Sequence, residues 1–188
     1  ELLSQVLQEQ ATQHLDTAAG VLANLAEMAG SGQATDPALQ EGMAQALVSM
    51  PILRSISLLD AGGTVLAGTR RADVGRTVNL ALLRPDGAPH LAQQYAMLGT
   101  WRPGRHLGDL GAGGAPGAPD GIGMIPYTLT LNNGSGRRLV ALVNPEGMLG
   151  FEQLRLDGTG RISVLTTYEG RVLTTAMGGT PASGAYVP

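Results

Sequence analysis

The sequence contains no cysteine. Disulfides, thiolate metal sites, iron–sulfur clusters and a cysteine nucleophile are therefore excluded. It contains no lysine either: all twelve cations are arginines. That removes a lysine nucleophile or Schiff base. Aromatic residues are scarce, with one Trp, one Phe and four Tyr. Charged residues make up 14% and the net charge is −3, a weakly acidic balance that argues against a nucleic-acid surface. No apolar run approaches the roughly 18 residues of a transmembrane helix. No signal peptide is visible.

What is present is a chain of 188 residues, 43% apolar, which is too apolar for disorder. The length suits one domain or slightly more. Its 28 glycines and 11 prolines follow no collagen period, so they imply long turns and loops. The chain starts at Glu1 inside a helical pattern, and we expect it to be a piece of a larger protein.

Residues 1–29 read as one helix. Leu3, Leu7, Ala11, Ala18, Leu22, Leu25 and Ala29 recur at steps of three, four or seven, and Gly30-Ser31-Gly32 ends the pattern. Two placements fit this narrow stripe: a seam against another helix, or a helix lying on its own sheet. Asp36-Pro37 reads as an N-cap with a first-turn proline. The helix it opens has Leu39, Met43, Ala46 and Leu47 on one face and closes at Met50-Pro51.

Strand signals follow. Residues 54–60 and 64–68 form a hairpin around Ala61-Gly62-Gly63, with Asp60 placed to bond the turn amides. Thr69–Arg76 is polar and reads as a loop, with Asp73 and Arg76 as solvated charges. Leu80, Leu82, Leu83, Leu91, Tyr95 and Leu98 suggest broken helical segments. The run from Gly108 to Gly123 holds seven glycines and two prolines and reads as a connection, not a phosphate cradle. Residues 125–131 and 137–144 form a second hairpin around Asn132-Asn133-Gly134-Ser135-Gly136.

One hairpin recurs. Ile56-Ser57-Leu58-Leu59 returns as Ile162-Ser163-Val164-Leu165 at an offset of 106. Gly63-Thr64-Val65-Leu66-Ala67 returns as Gly170-Arg171-Val172-Leu173-Thr174 at 107, as if the turn had gained a residue. Two such copies point to two related modules.

The helix pair followed by Ile56–Ala67 resembles double Cache (dCache/PDC) domains, the PAS-like extracytoplasmic sensors of bacterial transmembrane receptors. Val74-Gly75-Arg76, Gly99-Thr100-Trp101-Arg102-Pro103-Gly104-Arg105, Arg137–Pro145 and Tyr168–Leu173 also match short stretches of that pattern. The resemblance implies an α+β fold, an antiparallel sheet with flanking helices and a long N-terminal helix. It implies three parts: residues 1–29 as signalling and dimer helix, 30–150 as the membrane-distal module, and 151–188 as the start of a membrane-proximal one. It further implies a periplasmic sensor within an inner-membrane receptor whose parent chain continues past Pro188. Its output domain would be of the diguanylate cyclase kind, and its homodimer would form through the N-terminal helix.

The resemblance places a ligand-facing region at Trp101, Arg102, Arg105, His106, Tyr127 and Asn144. Arginine offers a planar fork for carboxylate or phosphate, and Trp101 a flat wall with one donor. Amino-acid-binding relatives carry an Asp where Asn144 stands and an Arg where Gly99 stands. Loss of that carboxylate disfavours a cationic group, so an anionic or neutral ligand is expected, a carboxylate first. The three histidines, His14, His90 and His106, show no metal-ligand spacing. No G-x-S-x-G elbow occurs. Neither catalysis, metal nor cofactor is expected. The alternative is a dimerisation or interaction module without a small ligand.

Overall fold

The computed structural model describes residues 2–85, 96–111, 122–148, 163–166 and 172–176. Helix α1 (Leu2–Ser31) and helix α2 (Pro37–Ser49) precede the sheet. Strands β1 (Leu53–Leu59) and β2 (Val65–Gly68) form the first hairpin. β3 (Met97–Leu98) and β4 (Arg102–Pro103) are two-residue strands. β5 (Gly123–Thr130) and β6 (Arg138–Val143) form the second hairpin. β7 (Ser163–Thr166) and β8 (Val172–Ala176) pair as a separate two-stranded sheet. Short 3-10 helices occupy Arg71–Asp73, Leu80–Leu83 and Leu107–Leu110.

The main sheet is antiparallel in the order β2-β1-β6-β5-β3, with β4 also on β5. The chain's closing strand of that sheet, β6, therefore lies at its centre beside β1. Both central strands are buried along almost their whole length, as happens when a sheet is covered on both faces. On one face, Ile56, Leu58, Ile125, Tyr127, Leu129, Leu139, Ala141 and Val143 meet α1 and α2. On the other, Val140, Leu142, Met124, Leu59 and Val65 meet Val78, Leu83, Leu107 and Leu110 from the connecting segments.

The helices form where the sequence places them. Asp36 caps α2 by accepting from the Ala38 amide at 2.9 Å, with Pro37 in the first turn, and Leu39, Met43 and Ala46 are its buried face. In α1, Ala18, Leu22, Leu25 and Ala29 are buried against the chain's own sheet, so the second of the two placements describes that half. Residues 9–17 include no fully buried position. The end of α1 is held by the β5–β6 turn. Arg137 Nη2 donates to the Ala29 carbonyl at 3.0 Å and Asn133 Nδ2 to the Gly30 carbonyl at 3.4 Å, two acceptors left open at any helix C-terminus.

The β1–β2 turn is built as expected: Asp60 Oδ1 accepts from the Thr64 amide at 2.8 Å. Gly63 has φ +93°, and a Cβ there would stand 2.6 Å from the Val78 carbonyl, so only glycine fits.

Three readings change. Leu98 lies in strand β3, opposite Tyr127, not in a helical segment, although Leu80–Leu83 is helical. Leu91 and Tyr95 fall outside the described residues, as does most of the 108–123 run. Asp73 is fully buried, not solvated. Finally, the repeated hairpin obeys a single offset. Ser57↔Gly68, Leu58↔Ala67 and Leu59↔Val65 in the first correspond to Val164↔Thr175, Leu165↔Thr174 and Thr166↔Val172 in the second. Every pair is displaced by 107, and the register irregularity after Leu58 returns after Leu165. The turn has gained no residue. The apparent offset of 106 came from similar side chains standing one place out of structural register.

Candidate functional site

The site gathers at the end of the sheet where β1 begins, β6 ends and β5 begins. β4 lies on the same end, with Arg102 opposite Met124 and Pro103 opposite Gly123. This register lays Trp101 over Gly123: a Cβ at Gly123 would come within 1.9 Å of the indole. Trp101 is 8% exposed and belongs to the helix-side core.

Arg54 joins the three strands. Its Nη1 donates to the Gly123 carbonyl at 2.7 Å, and its Nη2 donates to Asn144 Oδ1 at 2.5 Å. Glu146 Oε2 lies 3.8 Å from Nη2. Arg54 sits at the irregularity between Leu53 and Ser55 in the β1–β6 register. Burial lowers the pKa of its guanidinium; Glu146 opposes that, and the nearby positive charge of Arg105 adds to it. Thus Trp101, Gly123, Arg54 and Asn144 form one continuous group, and the charge of Arg105 is felt at Arg54.

Arg105 and His106 open the next segment. Both backbone amides donate to Asp109 Oδ2, at 2.8 and 2.9 Å. Burial pushes the Asp109 pKa up, but these two bonds, with His106 and Arg70 nearby, outweigh it and leave the carboxyl below its usual value. Beneath this turn, Asp73 Oδ1 accepts from Arg70 Nη1 at 3.2 Å and from the Gly108 amide at 3.3 Å. This contact fastens the segment after β2 to the one carrying His106.

The six expected residues therefore divide. Asn144 bonds Arg54, Trp101 overlies the glycine whose carbonyl Arg54 holds, and the charge of Arg105 is felt at Arg54. Arg102 donates from Nε to the Leu82 carbonyl at 3.3 Å, and His106 precedes Leu107 and Leu110 of the opposite core. Tyr127 lies in the helix-side core with Trp101. Its hydroxyl pKa is raised by burial and then by Asp16 of α1. Arg54, Gly123 and Glu146 were not among the expected residues. The available signal was a lone cation in an otherwise buried strand, LRSISLL. Among the described residues no three His, Asp or Glu side chains cluster as a metal site, and no helix is long and apolar enough to cross a membrane.

No family model and no curated protein matches the sequence. Solved structures do resemble it. An extracellular ligand-binding receptor from Desulfohalobium retbaense matches 98% of this chain at TM-score 0.67 and 13% identity, over 32% of the receptor chain. The sensor domain of the V. cholerae histidine kinase DctB matches 93% at TM-score 0.53 and 12% identity, over 66% of its length. The ligand-binding domain of the Pseudomonas fluorescens chemoreceptor CtaA, in complex with L-alanine, matches 92% at TM-score 0.50 and 15% identity, over 69%. The fold is the α+β, PAS-like architecture of extracellular sensor domains. These neighbours share the fold that the sequence resemblance to double Cache domains implies. The chain spans about a third of the Desulfohalobium receptor that it matches.

Proposed function

We propose that this chain is the extracytoplasmic ligand-sensing domain of a bacterial membrane receptor. It binds a small anionic or neutral molecule and passes the change through α1 to a cytoplasmic output domain of the diguanylate cyclase kind. The full protein is membrane-anchored and dimerises through α1. Residues 30–150 form the distal module that binds, and residues 151–188 open a proximal one. This part performs no catalysis.

The observation that carries the reading is the sensor-type fold across 98% of the chain, with Arg54 bonded across three strands at one end of its sheet. A ligand shifts a conformational equilibrium only by its differential affinity for the two states, so binding must be measurable in the isolated domain. A thermal-shift screen of small carboxylates, sugars and nucleobases tests this. A ligand at a hundredfold its Kd stabilises the fold by about 2.7 kcal/mol. Changing Arg105 to Ala should reduce the shift while the far-UV spectrum stays native. A dimerisation module without a small ligand would show no stabilisation by any compound.

A further inference from the structure

Arg54 is the single charged residue of β1. Arginine carries five N–H donors. Two of those on Arg54 go to neutral acceptors, the Gly123 carbonyl and Asn144 Oδ1. Its carboxylate neighbour Glu146 stands at 3.8 Å with a side chain 54% exposed. An ion pair of that kind is weak and screened by water. The charge of Arg105, itself exposed, is felt at Arg54, and its amide is tied to Asp109. Positive charge here is held in place by two dipoles and is only weakly offset by Glu146. Fourteen per cent of the Arg54 side chain remains open to solvent.

The same geometry disfavours cations. Asn144 Oδ1, an uncharged acceptor at this end, already takes a bond from Arg54. An ammonium would also meet two like charges. We infer that Arg54 is the specificity-determining residue of this site, making the end of the sheet a carboxylate subsite in which Asn144 is the neutral group that orients Arg54 without neutralising it. The inference rests on the sensor reading above and narrows its ligand class.

It turns on the difference between an amide and a carboxylate at position 144, which gives a nearly isosteric test. Asn144→Asp keeps the bond from Arg54 and cancels its charge. Glu146→Gln does the reverse, removing a competing anion. Acetate, lactate, malonate and citrate, with ethanolamine and putrescine as cationic controls, would be titrated against the purified chain, read by Trp101 fluorescence and by unfolding temperature. The wild type should bind at least one carboxylate and neither amine. Asn144→Asp should weaken that carboxylate by about tenfold or more, which is about 1.4 kcal/mol, with an unfolding temperature no lower than wild type. Glu146→Gln should tighten it several-fold, and Arg54→Gln should abolish it. Should Arg54→Gln fail to fold, the other two variants carry the test.

Unchanged carboxylate affinity in Asn144→Asp overturns the inference and leaves the sensor reading standing. Binding of an amine, or only of a sugar or nucleobase, does the same. Binding of nothing in the combined screens overturns both.

Discussion

Gly123 shows how far one atom matters in this molecule. The Trp101 indole occupies the space of its missing Cβ, at 1.9 Å, while its carbonyl receives Arg54. Gly123→Ala should therefore lose about 1–3 kcal/mol or more through overpacking and shift the emission of the single tryptophan, as followed by urea denaturation. Asp109 gives a pH dependence with a fixed sign. Its folded pKa lies below the unfolded value of 3.8. Its contribution is fully present above the unfolded value and is lost as pH falls through the lower folded one. Asp109→Asn should flatten the acid limb of stability below pH 3.8, measured by denaturation across that range. At this scale the sequence was only partly legible. Trp101 stood out as the single tryptophan, and Asn144 through the family resemblance, as the place where relatives carry an Asp. Arg54 did not, because its partners lie 69 and 90 residues away. Asp73 read as solvated within a run of charged residues, and it is buried by a contact with Gly108, 35 residues further on.

Elements were more legible than residues, since a helix or hairpin writes its period into a few neighbouring positions. The cap of α2 is local, and Asp36→Ala should cost about 1 kcal/mol of stability in chemical denaturation. α1 should divide into two halves under substitution. Leu22→Ala, in the core, should lose about 2–5 kcal/mol. Gln13→Ala, on the exposed part, should stay within about 0.5 kcal/mol. Strands β3 and β4 left no trace in the sequence pattern. Two residues cannot display an alternation, and these exist because the free edge of β5 pairs with whatever segment passes beside it.

Across the whole molecule, two hairpins share one register displaced by 107 residues. Similar side chains revealed the repeat, and the backbone corrected its alignment. The described core residues all lie between Leu15 and Met148. A chain ended after residue 150 should accordingly keep the midpoint of its Trp101 fluorescence transition in urea; loss of cooperative unfolding would count against the division at 150. The fastening of α1 has a mechanical consequence. Held at Ala29 and Gly30 by the β5–β6 turn and seated on the core from Leu15 onward, the helix is a lever clamped at one end. Its remaining 13 or so residues extend about 20 Å from the clamp at 1.5 Å each. A tilt of about 5° at the seat would swing the far tip by roughly 2 Å over that arm, so a displacement too small to disturb the sheet becomes a step the size of a bond or more where the helix begins.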